Sequence, residues 1–153
     1  MKLAIISSKT KLSGKLTKFW TGSYAYHCGF VDIESDTLYD MHWLPRKSSW
    51  AEHGYKDVQL FDVALTVAEC EAGLKRDSKF IYGWRDYTLF AIRKLYHLFG
   101  KSTINANGII CSELCNNWLW LNKANSTPFN PNGEPPSPAD LERFFKLNKN
   151  LRG

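Results

Sequence analysis

The apolar positions in the first half of the chain follow the short runs and the alternation that are typical of β-strands. Residues 2–7 (KLAIIS) form a compact apolar run that predicts a buried strand. Two aromatic, β-rich runs, 24–33 and 37–44, are separated by a short polar segment, and this arrangement predicts a β-hairpin. Residues 55–63 alternate as in a further strand, whereas residues 45–54 (PRKSSWAEHG) are predicted to be a loop.

The remaining segments carry helical spacing and helix-capping signals. Thr66 and Glu69 have the spacing of a capping box, and Ser137 followed by Pro138 is a typical N-cap and first helical residue. The predicted segments are a brief helix or loop over 15–20, helices over 66–75, 86–99 and 111–121, and a final helix that begins at residue 138. Residues 125–137 (NSTPFNPNGEPPS) are predicted to be an irregular loop.

Length and composition favour one folded domain. The chain has 153 residues, of which 44% are hydrophobic and 14% aromatic, so wholesale disorder is excluded and a single domain over residues 1–153 is expected. No apolar run approaches the ~18 residues of a transmembrane helix. The opening residues have neither a long apolar region nor a small-residue cleavage site, so we expect no signal peptide and a cytoplasmic protein.

The charge is basic, with 20 Lys and Arg against 15 Asp and Glu and a formal net charge of +5. A basic surface attracts nucleic acid, anionic polymers or anionic lipid, but it identifies none of them. The lysines concentrate near the two ends of the chain, and solvated termini are the favoured explanation.

Two local patterns carry the candidate chemistry. His27 lies early in a predicted strand with Gly29 two positions later, and Cys111 lies at the start of a predicted helix. A helix N-terminus and an adjacent imidazole lower the pKa of a thiol from about 8.5 toward 3.5–7.5, and the free N–H groups there stabilise an oxyanion. Gly29 is expected to let substrate or the catalytic helix approach the strand closely. Of the other thiols, Cys28 and Cys115 are interpreted as core residues, and disulfides are not expected without a secretory signal.

His27-Cys28-Gly29 and the downstream Cys111-Ser112-Glu113-Leu114, in this order, resemble the circularly permuted papain-like hydrolases of the NlpC superfamily. Relatives include peptidoglycan amidases and endopeptidases and lecithin–retinol acyltransferase. Residues 82–87 and 136–141 are similar to weaker features of that family. The resemblance implies an α+β, permuted papain-like fold, with a small antiparallel sheet packed against helices and a Cys111–His27 pair that attacks an amide or ester carbonyl.

The resemblance also implies a third polar residue that orients His27, on the strand after it. A hairpin turn centred on residues 34–35 pairs His27 with His42 and puts Asp40 on the same face. The spacing expected for the family falls nearer Tyr39. We favour His42 for this role and keep Asp40 as the alternative.

The predicted function is therefore that of a thiol hydrolase or acyltransferase, an amidase or peptidase that acts through an acyl-enzyme. The resemblance points to an amide of the peptide or peptidoglycan stem-peptide type, and a phage or bacterial source would fit such a substrate. No cofactor and no metal are expected, because a metal held by His27, His42 and Cys111 would occupy the nucleophile. The rival hypothesis is a non-catalytic basic and aromatic module for nucleic acid or another polyanion, but no nucleic-acid-binding signature supports it.

Overall fold

The computed structural model of the protein describes residues 1–83, 99–100, 109–123, 129–130 and 134–150. Within these ranges the chain has an α+β architecture, with one five-stranded antiparallel sheet and four α-helices. The predicted helix over 86–99 and most of the predicted irregular loop over 125–137 lie outside the described residues. The α+β class expected from the sequence is confirmed.

The sheet is built in the order β4-β3-β2-β1-β5, and all of its neighbours are antiparallel. The central strand β2 runs from Ala25 to Asp32, between β1 on one side and β3 on the other. Its hairpin with β3 places Gly29 opposite Asp40, which is the register that the sequence predicts. The strands are β1 (Lys2–Ser7), β2 (Ala25–Asp32), β3 (Thr37–Met41), β4 (Pro45–Ser49) and β5 (Asp57–Asp62).

Residues 45–54, predicted to be a loop, contain the edge strand β4 and a short 3₁₀-helix over Ala51–His53. The prediction failed because β4 is exposed at the sheet edge and has no apolar alternation to reveal it. Pro45 is tolerated because it is the first residue of an edge strand, where a missing N–H costs no ladder bond. Strand β4 matters for the site, because it places Arg46 directly opposite Asp40.

The helices carry the end signals read from the sequence. Thr66 and Glu69 form a complete capping box at the start of α2, and the Ser137 hydroxyl accepts from the Asp140 N–H at 3.2 Å at the start of the last helix. Gly22 adopts the left-handed conformation (φ 82°) that ends the first helix. The helices are α1 (Leu12–Thr21), α2 (Val67–Asp77), α3 (Cys111–Leu121) and α4 (Pro138–Asn150).

The main core lies between one face of the sheet and helices α2, α3 and α4. Trp118 of α3 is 1% exposed and stacks on Phe30 of β2 with ring centroids 5.9 Å apart. Gly73 of α2 makes room for that indole, since a Cβ at this position would lie 2.6 Å from the Trp118 ring. The packing fixes α3 against β2, and with it the position of the first residue of α3, Cys111.

The described helices include none with the length and apolar character that crossing a membrane requires.

Candidate active site

Helix α3 begins at Cys111, which is buried with 2% of its surface exposed. The preceding Ile110 is extended (φ −102°, ψ 165°) and provides no side-chain cap, and the first helical hydrogen bond runs from the Leu114 N–H to the Ile110 carbonyl at 2.9 Å. The N–H groups of the first turn are therefore not consumed by a capping side chain. A helix end of this kind favours a negative charge, so the position stabilises a thiolate at Cys111.

His27 lies near the start of β2, next to a bulge in the pairing of β1 with β2 between Ile6 and Ser7. Its Nε2 lies 2.9 Å from Oδ2 of Asp40, whose side chain is completely buried. The other ring nitrogen, Nδ1, makes no contact with Asp40, and Cys111 lies close enough to the ring for the two side chains to shift each other's pKa. The structure thus brings Cys111, His27 and Asp40 into one chain of interactions, with a hydrogen bond between His27 and Asp40 and an electrostatic interaction between His27 and Cys111.

Arg46 extends this chain on the far side of Asp40. Its Nε donates to Oδ1 of Asp40 at 2.7 Å and its Nη2 donates to Oδ2 at 3.2 Å. Such a two-point contact fixes the plane of the carboxylate as well as its charge. Burial alone raises the pKa of Asp40, but the hydrogen bonds from His27 and Arg46 outweigh it and lower the pKa to about 2. Asp40 is therefore an anion throughout the neutral range.

The contact expected of His42 is made by Asp40 instead. Although the register is as predicted, β3 ends at Met41, and the chain bends so that the His42 N–H donates to the Leu44 carbonyl at 3.3 Å. His42 is left exposed, with its ring 6.3 Å from that of Trp43. A residue directly across from His27 would need β3 to continue, whereas Asp40 reaches the ring diagonally from inside the strand.

Gly29 makes that diagonal contact sterically feasible. A Cβ at Gly29 would lie 2.7 Å from the Tyr39 carbonyl oxygen and 3.0 Å from Cβ of Asp40. The space left by the missing side chain is thus filled by β3, not by a substrate or by α3 as the sequence suggested. The His-x-Gly pattern has a direct physical reason here, because the glycine gives the Asp40 side chain room beside His27.

Cys111 and His27 shift each other's pKa in opposite directions. Burial alone lowers the pKa of His27, but the negative charge of Cys111 and the hydrogen bond to Asp40 outweigh it and raise the pKa to about 10. The pKa of Cys111 falls well below that of an ordinary thiol, because the hydrogen bond from Cys28 and the charge of His27 outweigh its burial. These directions describe a thiolate–imidazolium pair at neutral pH.

Cys28 takes part in the site, which the sequence did not reveal. Its side chain is a fully buried core residue, as predicted, but it also lies close enough to Cys111 to lower the pKa of that thiol. Burial raises the pKa of Cys28 well above its ordinary value, so it remains a neutral thiol beside the Cys111 sulfur. Strand alternation places Cys28 on the face opposite His27, and that face is the one against which α3 packs.

A cavity of about 620 Å³ opens beside His27. Its wall is mainly apolar, and His42 contributes to it. Burial and the charge of Arg46 lower the pKa of His42 below its usual value, so this ring is neutral at physiological pH. The apolar residues of the wall include Leu12 and Leu16 of α1 together with Met41 and Trp43.

His53 bonds to the Ser48 hydroxyl at 3.0 Å and stacks on Tyr55, so its contacts are structural, whereas His97 lies outside the described residues. Within the part of the chain that the structure describes, no group of three or more His, Cys, Asp or Glu side chains is arranged to hold a metal ion.

A comparison of the sequence with models of known protein families and with curated proteins found no match.

Proposed function

We propose that the protein is a cysteine hydrolase or acyltransferase of the permuted papain-like type, with Cys111 as nucleophile, His27 as proton carrier and Asp40 as the residue that orients His27. The observation that carries this proposal is the hydrogen bond between His27 and Asp40, together with the electrostatic interaction between His27 and Cys111 at the N-terminus of a helix. A nucleophile, a base beside it and a third group that holds the base are the elements that nucleophilic acyl transfer requires.

In the first step, the Cys111 thiolate forms a bond from its sulfur to the carbonyl carbon of an amide or ester, and the carbonyl oxygen becomes an oxyanion. The uncapped N–H groups in the first turn of α3 are positioned to hold that charge. His27 then gives its proton to the leaving nitrogen or oxygen as the bond to carbon breaks, which leaves a thioester on Cys111.

In the second step, neutral His27 takes a proton from water or from another acceptor, and the resulting nucleophile attacks the thioester. The carbon–sulfur bond breaks, and the thiolate and the protonated His27 are restored. Asp40 remains ionised throughout and holds Nε2 of His27, which leaves Nδ1 to exchange the proton.

The substrate is an amide or an ester with an apolar group beside the carbonyl. The cavity next to His27 has an apolar wall that favours such a group and offers little to a strongly charged one. Peptide amides, including peptidoglycan stem peptides, are the substrate class to which the sequence resemblance points.

The experiment that tests this proposal measures hydrolysis of a chromogenic ester with an apolar acyl group, followed by mass mapping of the acylated residue. We expect the acyl group on Cys111, no turnover by Cys111→Ala, and unchanged turnover by Cys70→Ala, whose thiol is buried on α2. Acylation of another cysteine, or turnover that survives Cys111→Ala, would overturn the proposal.

A further inference from the structure

The mouth of the cavity beside His27 is surrounded by large apolar side chains that face solvent. On α1, Leu12 is 72% exposed and Phe19 is 71% exposed, with Leu16 between them on the same face of the helix. Across the cavity, Trp43 is 60% exposed. Leu12, Leu16 and Trp43 all line the cavity itself, and Phe19 continues the apolar face of α1 beyond it.

A second stretch of chain adds to this surface. The Tyr82 N–H donates to the Trp43 carbonyl at 2.9 Å, so the backbone at the exposed Ile81 lies near that of the exposed Trp43 and Leu44. The apolar entrance surface therefore consists of Leu12, Leu16, Phe19, Trp43, Leu44 and Ile81. Monomeric proteins rarely expose this many large apolar side chains together unless the surface binds something.

The charge on the α1 side of this surface has one sign. Residues 1–31, which include all of α1, contain five lysines and no aspartate or glutamate. Lys15 and Lys18 lie on α1 beside the apolar stripe, and Lys9 and Lys11 immediately precede the helix. An apolar stripe flanked by lysines on a surface helix is the pattern of a helix that lies in the interface of an anionic membrane.

We propose that the apolar entrance surface docks onto an anionic lipid bilayer, with α1 in the plane of the headgroups and the cavity beside His27 opening toward the membrane. The lysines contact the anionic headgroups, and the leucines and aromatic rings enter the boundary with the acyl chains. Trp43 suits this position because indole rings concentrate at membrane interfaces. The proposal concerns docking alone and does not depend on the chemistry of Cys111.

Two other occupants fit the surface less well. Nucleic acid would engage the lysines, but Leu12, Leu16 and Ile81 give nothing to phosphates and would remain exposed to water. A second copy of the chain, joined through a two-fold axis, would set lysines against lysines, and like charges facing each other disfavour association.

The test is co-sedimentation of the full chain with vesicles of pure phosphatidylcholine and with vesicles of equimolar phosphatidylcholine and phosphatidylglycerol. The Cys111→Ala variant is measured beside the wild type, so that docking is recorded without any reaction on the lipid. We expect binding to the anionic vesicles that is at least about tenfold tighter than to the neutral ones, since each lysine near the surface adds to it.

Matched variants separate the apolar and the basic contributions. Leu16→Gln combined with Phe19→Gln is expected to weaken binding to anionic vesicles about tenfold or more. The control is Ile33→Gln. Ile33 directly follows β2, at the opposite end of that strand from His27, and its side chain is 52% exposed. We expect this change to leave vesicle binding unaltered. Lys9→Gln combined with Lys15→Gln is expected to weaken binding about tenfold, whereas Lys75→Gln on α2 changes nothing.

Several results would overturn the docking proposal. These are equal binding to neutral and anionic vesicles, no binding to either, or binding that the Leu16 and Phe19 changes leave intact. Lysine-dependent binding to nucleic acid in place of vesicles would assign the surface to a polyanion, and a dimer in solution that Phe19→Gln dissolves would assign it to a second copy. Because Cys111→Ala is expected to dock normally, failure of docking and failure of the acyl-transfer proposal are distinguishable.

Discussion

The Asp40 carboxylate contacts Nε2 of His27 at 2.9 Å, although the residue opposite Asp40 in the sheet is Gly29. The contact is diagonal, and it depends on the missing side chain at Gly29 and on the Arg46 guanidinium that holds the carboxylate from behind. A buried anion in this position both orients the imidazole and stabilises its charged form.

Asp40 and His42 are expected to differ sharply in their effect on turnover. Asp40→Asn removes the charge that holds His27 and should lower kcat ten-fold or more, a figure scaled down from the roughly 10⁴ that the orienting Asp of a Ser-His-Asp triad contributes. His42→Ala, at the exposed rim of the cavity, should leave kcat within a few-fold of the wild type. Steady-state kinetics with the chromogenic ester measure kcat for both variants, and thermal unfolding checks that each variant is folded. The reverse ranking would return the orienting role to His42.

The sequence predicted the hairpin register and all of the elements that carry Cys111, His27 and Asp40. It could not predict which side chain His27 contacts, because that depends on where β3 ends. Alternation shows that Asp40 and His42 share a face, but the bend after Met41 comes from the short turn into β4, an edge strand without an apolar signature. Arg46 was missed for the same reason.

Cys28 was missed for a different reason. Its burial followed from the pattern, but its contact with Cys111 is a consequence of how α3 packs on β2. That packing depends on Trp118 and the space at Gly73, which are residues distant in sequence from both thiols. Strand periodicity carries no information on such contacts.

The acid stability of the protein should depend on Asp40. Its pKa is lowered from 3.8 to about 2, so it contributes about 2 kcal/mol to the free energy of unfolding above pH 4, and this contribution is lost as the pH falls through about 2. Denaturant unfolding is measured between pH 5 and about pH 2. Over this range the free energy of unfolding should fall more steeply for the parent chain than for Asp40→Asn. Both chains carry Cys111→Ala, so that protonation of the thiolate does not contribute.

The control for the acid-stability experiment is Asp62→Asn on the same background. Asp62 pairs with Lys2, and its side chain is 90% exposed. Its replacement should therefore leave the slope of unfolding free energy against pH almost unchanged. Equal slopes for the parent and Asp40→Asn would mean that Asp40 is not ionised and paired in the folded protein.

Removal of the Cys28 thiol should raise the pKa of Cys111. The hydrogen bond from Cys28 is the largest cause of the lowered pKa of Cys111. In Cys28→Ala the Cys111 thiolate should therefore form at higher pH. Cys28→Ser keeps a donor and should restore much of the effect. The ultraviolet absorbance of the thiolate as a function of pH measures this, with Cys70→Ala as a control that shifts nothing. A Cys111 pKa that does not change in Cys28→Ala would show that the two thiols do not interact.

A side chain at Gly29 should disturb the Asp40–His27 contact. Gly29→Ala places a Cβ 3.0 Å from Cβ of Asp40 and should cost about 1–3 kcal/mol of stability as well as turnover. If Gly29→Ala lowers turnover by displacing Asp40, the double variant Gly29→Ala with Asp40→Asn should lose less turnover than the sum of the losses in the two single variants, expressed as free energies. Gly73→Ala, which crowds Trp118 away from the site, should lower stability but not turnover. Additive losses at Gly29 and Asp40 would count against the proposed steric role.

The most direct test of the thiolate–imidazolium pair is the rate of alkylation of each cysteine by iodoacetamide as a function of pH, with the modified residue identified by mass spectrometry. Cys111 should react first. As the pH is raised, its alkylation rate should reach its plateau well below pH 8.5, which is about the pKa of an ordinary thiol. His27→Ala should move that inflection up toward the ordinary value, because the imidazolium charge is lost. Prior labelling of Cys28, Cys70 or Cys115, or a wild-type inflection at about pH 8.5 that His27→Ala does not change, would contradict Cys111 as the activated nucleophile.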